Sequence, residues 1–171
     1  MSTLRANQIQ TTTGKTILNS SGSILQVVQS WDDTVRSGPG VVYPNYTTIS
    51  SPQLIITPSS STNKILLIAQ ITFASGAAAN FYDTTYRLSR NGSGIGNATT
   101  GSLGSIGINA REQYELGNGS ICYLDSPATT SSLTYAIQVT SSSTAHNWKI
   151  NESGQGGDRG VSCIIAMEVS A

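Results

Sequence analysis

The chain has 171 residues, nine basic and nine acidic, so its net charge is zero and only 11% of its side chains are charged. An ordinary globular domain carries about 25%, and a nucleic-acid binder needs surplus Lys and Arg to displace phosphate counterions, so that class is excluded. Ser and Thr number 46, and with Gly, Asn and Gln the small or neutral polar set reaches 83, which excludes a helix bundle, while 37% hydrophobic content excludes an acidic disordered tail.

Residues 1–23 are polar, with isolated apolar positions at Leu4, Ile9, Ile17 and Leu18 and glycines at 14 and 22. They read as an arm, and residues 24–171 as one β-domain. The arm holds no apolar stretch of signal-peptide length. From Ile24 onward, short strands are expected over Ile24–Gln29, Leu54–Thr57, Lys64–Phe73, Phe81–Ser89, Ile121–Asp125, Leu133–Thr140, His146–Asn151 and Val161–Val169. Turn-forming clusters separate them: Ser37-Gly38-Pro39-Gly40, Ser59-Ser60-Ser61, Asn91-Gly92-Ser93-Gly94, Asn118-Gly119 and Gly154–Gly160. Many short strands with regular turns predict a sandwich or a barrel. No segment has the pattern of an amphipathic helix. The longest apolar-rich run, Ile65–Phe73, includes Gln70 and Thr72 and is far too short for a membrane helix, so no membrane insertion is expected.

The strands divide into two classes. In one, apolar and polar residues alternate: Leu133, Tyr135, Ile137 and Val139 against Thr134, Gln138 and Thr140; Tyr82, Tyr86 and Leu88 against Asp83, Thr85, Arg87 and Ser89; Trp148 and Ile150 against Asn147, Lys149 and Asn151. Such strands are expected to keep one face in water. In the other class both faces are apolar. Ile65, Leu67, Ala69, Ile71 and Phe73 are backed by Leu66 and Ile68, and Val161, Cys163, Ile165, Met167 and Val169 by Ile164 and Ala166. Ile24 and Val28 are backed by Leu25 and Val27, and Ile121 and Tyr123 by Cys122 and Leu124. In a two-layer sandwich, one sheet covers only one face of the other. With no helix to cover the second face, the expected cover is another copy of the chain. Leu25, Val27, Leu66, Ile68, Cys122, Leu124, Ile164 and Ala166 are the expected interface residues.

Catalytic patterns are missing. His146 is the sole histidine, without a Gly-x-Ser-x-Gly elbow, and reads as a strand-edge or surface residue. Two cysteines and one histidine do not make a zinc site, and Asp32-Asp33 reads as a solvated turn more readily than as a calcium ligand. Among Asp83, Glu112, Glu115, Asp125 and Asp158, no spacing selects a glycosidase pair. The stretches Gly92-Ser93-Gly94-Ile95-Gly96 and Gly154-Gln155-Gly156-Gly157 lack a following helix and a P-loop lysine, and read as hairpin loops. Cys122 and Cys163 form one bridge or none. Six Asn-x-Ser/Thr sequences, at Asn19, Asn45, Asn91, Asn97, Asn118 and Asn151, reflect the abundance of Ser and Thr. Trp31, Tyr43 and Tyr46, close to Pro39 and Pro44, either pack over the end of the sandwich or offer rings for stacking on a sugar.

The opening Ser2-Thr3-Leu4-Arg5-Ala6-Asn7-Gln8-Ile9-Gln10, then Thr13-Gly14-Lys15-Thr16-Ile17-Leu18 and Ser23–Gln29, resembles the start of fibre and fibre-like virion proteins of tailed phages, common in phages of aquatic bacteria. Tyr123-Leu124-Asp125-Ser126-Pro127 before Leu133–Thr140 continues the likeness, as does the ending Ile164–Val169. Residues 74–118 match poorly. The resemblance implies an all-β jelly roll of the C1q and tumour-necrosis-factor type, assembled as a compact homotrimer, without catalytic residues, metal or cofactor. It implies a place on the outer surface of the capsid or tail, an arm bound to another virion protein through Leu4, Ile9, Ile17 and Leu18, and loops near Trp31, Tyr43 and Tyr46 available to host-surface glycans. About two dozen residues precede the first core strand, which favours a short tail fibre or a capsid decoration knob over a long fibre. A polysaccharide depolymerase and a free lectin are the remaining alternatives.

Overall fold

The computed structural model describes residues 21–75, 84–96, 107–110, 116–145, 147–153 and 156–171. Among these the regular structure is entirely strand: β1 (Ile24–Asp32), β2 (Arg36–Gly38), β3 (Thr47–Ile56), β4 (Lys64–Ser75), β5 (Thr84–Arg90), β6 (Ser93–Gly94), β7 (Gly107–Ala110), β8 (Gly117–Asp125), β9 (Leu133–Ser141), β10 (Trp148–Ile150) and β11 (Ser162–Val169).

Two sheets form a sandwich. One runs β1-β11-β4 and continues through β10 to β2, with β8 on the other flank of β4; the second runs β3-β9-β5, with β6 and β7 beyond β5. Set aside the short strands β2, β6 and β10, and the eight that remain pair antiparallel, first with last, second with seventh, third with sixth and fourth with fifth. This nested pairing is the jelly-roll order. The core lies between the sheets, where Leu67, Ile71, Ile121 and Ile164 meet Ile56, Tyr86, Tyr135 and Ile137, all buried. Phe73 stacks on Tyr86 across the gap, with ring centroids 5.6 Å apart.

Several expected turns are strand. Asn118-Gly119 lies inside β8, opposite Thr72 and Ile71, and the neighbouring Gly117 leaves room for the Phe73 ring, where a Cβ would come within 2.6 Å. Ser37-Gly38 belongs to β2 and pairs with β10. Asn91-Gly92 is a hairpin loop as expected, with φ of 49° and 81° joining the paired Arg90 and Ser93, the two left-handed positions of a type I′ turn.

Two of the alternating strands, β5 and β9, do not keep a face in water, whereas at β10 Trp148 and Ile150 are buried, Asn147 is exposed and Lys149 half-buried. In β9, Leu133, Tyr135, Ile137 and Val139 are buried as expected, but Ala136, Gln138 and Thr140 are buried too. Segment 41–46 and the β5–β6 hairpin cover that second face. Thr140 Oγ1 and Ser141 N donate to the Val41 carbonyl, and Gln138 Nε2 donates to the Gly92 carbonyl. Hydrogen bonds satisfy these polar side chains, so their burial costs little.

Candidate functional site

All four strands that are apolar on both faces lie side by side in one sheet, in the order β1-β11-β4-β8. Antiparallel register aligns their outward residues in rows: Val27, Met167, Leu66 and Leu124; then Gln29, Ile165, Ile68 and Cys122; then Trp31, Cys163, Gln70 and Ser120. None of these side chains is charged. Val27 is 57% exposed, Leu124 46% and Trp31 61%. The first two rows hold one polar residue, Gln29, and a contiguous apolar surface of this kind on a monomer marks an interaction site.

Five of the eight expected interface residues share this face: Val27, Leu66, Ile68, Cys122 and Leu124. Ile164 and Ala166 do not. Both are fully buried in the core, beside Ala69 and Leu67. The outward residues of β11 are Cys163, Ile165 and Met167, which the sequence pattern placed on the opposite face. Leu25 is half-buried at an irregularity in the β1–β11 register, between Ile24 and Gln26, and has no partner in the row.

The two thiols stand on opposite flanks of β4. Cys122 is in register with Ile68 and Cys163 with Gln70. Two strand spacings of about 4.8 Å separate them, beyond the reach of a disulfide within one chain. Both cysteines are free.

The chain enters the domain at one end of the sandwich. Gly22 N donates to Ser170 O and Ser170 N to Ser23 O, both at 2.9 Å, extending the pairing of β1 with β11. Leu4, Ile9, Ile17 and Leu18 lie outside the described residues. At the same end, Glu168 is buried and accepts from Ser59 N, Ser59 Oγ, Asn63 Nδ2 and Gln26 Nε2 at 2.6–2.7 Å. Burial opposes its charged form, but these hydrogen bonds outweigh burial and hold the carboxyl below its ordinary pKa.

Tyr43 and Tyr46 lie at the opposite end, before β3. Their rings meet edge to face at 6.3 Å, and the Arg87 guanidinium sits 3.2 Å from the Tyr46 ring centroid. Arg87 Nε donates to Gln138 Oε1 at 2.9 Å, and burial lowers the arginine's pKa from its ordinary value. Alternation within β5 put Arg87 on the outward face, but only tertiary packing sets it under Tyr46. Trp31 is at the same end but belongs to the other sheet, so the three aromatics do not form one cluster.

The buried acids Asp32, Asp125 and Glu168 and the half-buried Glu152 are engaged in holding the fold. Asp32 is not a solvated turn residue: it is buried, receives Arg36 Nε at 2.7 Å and Thr34 N at 3.1 Å, and burial is outweighed so that its pKa is lowered. Asp125 pairs with Arg90 at 2.7 Å, and Glu152 with Lys149 at 3.4 Å and Arg159 at 3.3 Å. Asp83, Glu112, Glu115 and His146 lie outside the described residues. Among the described residues no group of three or more His, Cys, Asp or Glu side chains is placed to hold a metal ion. Asn151 is fully buried, with Nδ2 donated to Asp32 O and Thr34 O, so this amide is not presented for glycosylation.

No family model matches the sequence, and no curated protein matches it. Among solved structures, the chain is similar to the crystal structure of the infectious bursal disease virus VP2 subviral particle, with a TM-score of 0.38 and 12% identity. The match covers 98% of this chain and 42% of that one, so the chain spans under half the length of that viral protein.

Proposed function

We propose that the chain is a non-enzymatic structural protein of a tailed-phage virion, a short fibre-like homotrimer held to the particle by residues 1–23, with its far loops turned to the host surface. The observation that carries this reading is the largely apolar outward face of β1-β11-β4-β8, whose three aligned rows carry no charge and whose one charged strand residue, Lys64, stands at the edge in register with Val169. A surface that meets its own copy sets like against like, so rows of uncharged side chains bring no repulsion. Each large side chain taken out of water contributes about 1.5–3 kcal/mol.

A cyclic assembly with its axis along the strands gathers every arm at one end and every Tyr43–Tyr46 loop at the other. Anchorage at the arm end then leaves those aromatics and Trp31 facing outward, where weak contacts with host glycans add through avidity. The arm meets another virion protein by strand addition or shallow apolar contacts of Leu4, Ile9, Ile17 and Leu18. The resemblance to phage fibre-like proteins at both ends of the sequence supports the same reading.

Sedimentation at micromolar concentration tests the assembly. A trimer is expected, and Leu124→Asp is expected to sediment as a folded monomer; a monomeric parent chain overturns the reading. Deleting residues 1–20 is expected to leave a folded trimer that no longer enters virions, and normal incorporation would refute the arm assignment. A capsid decoration protein of the same fold is the alternative. Imaging of particles carrying a labelled copy separates the two positions.

A further inference from the structure

We infer that the open edge of β8 receives β1 of a second copy as an added strand, so that one sheet continues from copy to copy; the inference rests on the self-association proposed above. Among the described residues β8 pairs only with β4, through nine consecutive positions without a bulge, and β1 pairs only with β11. Thr72 N donates to Ser162 Oγ at 3.0 Å, and the Thr72 carbonyl accepts from Asn151 N at 2.9 Å, so the Thr72 backbone turns away from β8. Asn118 stands opposite Thr72, and in such an antiparallel pair both residues point their backbone groups apart. Asn118 thus turns its N–H and C=O to the open side, and with a period of two so do Ser120, Cys122 and Leu124. Lys, Pro or a bulge commonly blunts a native sheet edge against added strands. From Gly117 to Leu124 this edge has none of them.

The same alternation, followed across β4 and β11, turns the backbone of Val27, Gln29 and Trp31 to the open side of β1. Three antiparallel pairings separate β1 from β8, so the two run in opposite directions. A copy rotated about an axis along the strands brings its β1 antiparallel to β8, each N–H facing a C=O. The rows then continue across the junction: Leu124 beside the partner's Val27, Cys122 beside the partner's Gln29, and the small Ser120 beside the partner's Trp31. Val27, Trp31 and Leu124 are the exposed large apolar side chains of these rows, and they stand at the two rims that this pairing covers. Pairing β8 with β8 of another copy needs a two-fold axis across the strands instead, which sends the two arms to opposite ends and away from a common anchor.

Hydrogen exchange resolved to single residues compares the assembled full chain with Leu124→Asp. The amides of Asn118, Ser120 and Cys122 are expected to exchange slowly in the assembly and rapidly in Leu124→Asp, while Gly119, Ile121 and Tyr123, bonded to β4, exchange slowly in both. The double variant Gln29→Cys, Cys163→Ser identifies the added strand. Mild oxidation with copper phenanthroline is expected to join residue 29 of one copy to Cys122 of the next, a disulfide that three strand spacings forbid within one chain. A link between two Cys122 residues in its place shows β8 pairing with itself and overturns the inference. Slow amides without the 29–122 link assign the edge to another strand and overturn it as well. An assembled parent whose three amides exchange as fast as in Leu124→Asp overturns this inference alone. A parent chain that is monomeric overturns the self-association reading and this inference with it.

Discussion

Tyr135 donates its hydroxyl to Asp125 Oδ2 at 2.6 Å and so ties β9 of one sheet to the end of β8 in the other. Arg90 Nη1 closes on both oxygens of the same carboxylate, at 2.8 and 2.7 Å. Three elements thus share one anion at the end where the chain enters the domain. Burial, with Asp125 adding to it, pushes the Tyr135 hydroxyl pKa well above its ordinary value, so the phenol stays a donor. Tyr135→Phe is expected to cost about 1–3 kcal/mol, and Asp125→Ala about 3 kcal/mol or more, because it also strands the buried hydroxyl. Urea unfolding of the two variants measures the difference. Equal losses would show that Arg90 contributes nothing to the clamp.

Stability is expected to fall in acid, through Glu168. Its pKa in the folded chain lies below the ordinary value of 4.5, so the native state binds the proton less readily than the unfolded chain does. The stabilisation is therefore fully present above about pH 5 and is lost as pH falls through the folded-state value. Asp32, lowered from 3.8, adds a loss of the same sign at still lower pH. Thermal midpoints between pH 7 and pH 2 check this. Glu168→Gln is expected to be less stable at pH 7 and to show a shallower acid slope, since it removes the group that titrates.

Leu66 and Leu67 are chain neighbours with opposite roles. Leu67 is wholly buried between the sheets, while Leu66 is half-buried on the outward face. Leu67→Ala is expected to lower unfolding stability by about 2–5 kcal/mol. Leu66→Ala is expected to leave the separate domain within about 1 kcal/mol of the parent and to weaken self-association. Denaturation together with sedimentation distinguishes the two effects, and a large folding defect in Leu66→Ala would reverse the assignment of faces.

Asn151 holds the turn after β1 against β10 and β11. Besides its two donated bonds to Asp32 and Thr34 carbonyls, its Oδ1 accepts from Ser162 Oγ at 2.7 Å, and its φ is 64°. Asparagine tolerates that left-handed backbone better than most residues. Asn151→Ala is expected to cost about 3 kcal/mol or more, from lost hydrogen bonds and backbone strain together. A calorimetric melt measures it, and a change below about 1 kcal/mol would show that the network carries little energy.

The period-two alternation by itself determined the class of this protein and much of its plan. It located the longer core strands and singled out β1, β4, β8 and β11 as apolar on both sides, which the fold then placed together in one sheet. The Asn91-Gly92 turn was legible because only two left-handed residues close that hairpin. What remained hidden has one physical cause. A strand apolar on both faces reads the same from either side, and alternation carries no sign that says which face turns inward. Tertiary pairing decides it: Ile164 and Ala166 lie in register with Ala69 and Leu67 and turn with them into the core, which leaves Ile165 and Met167 outside beside Ile68 and Leu66. The setting of Arg87 under Tyr46, the covering of Gln138 and the binding of Glu168 by loop donors also join residues 41 to 109 positions apart in the chain. Such contacts exist only once the roll has closed.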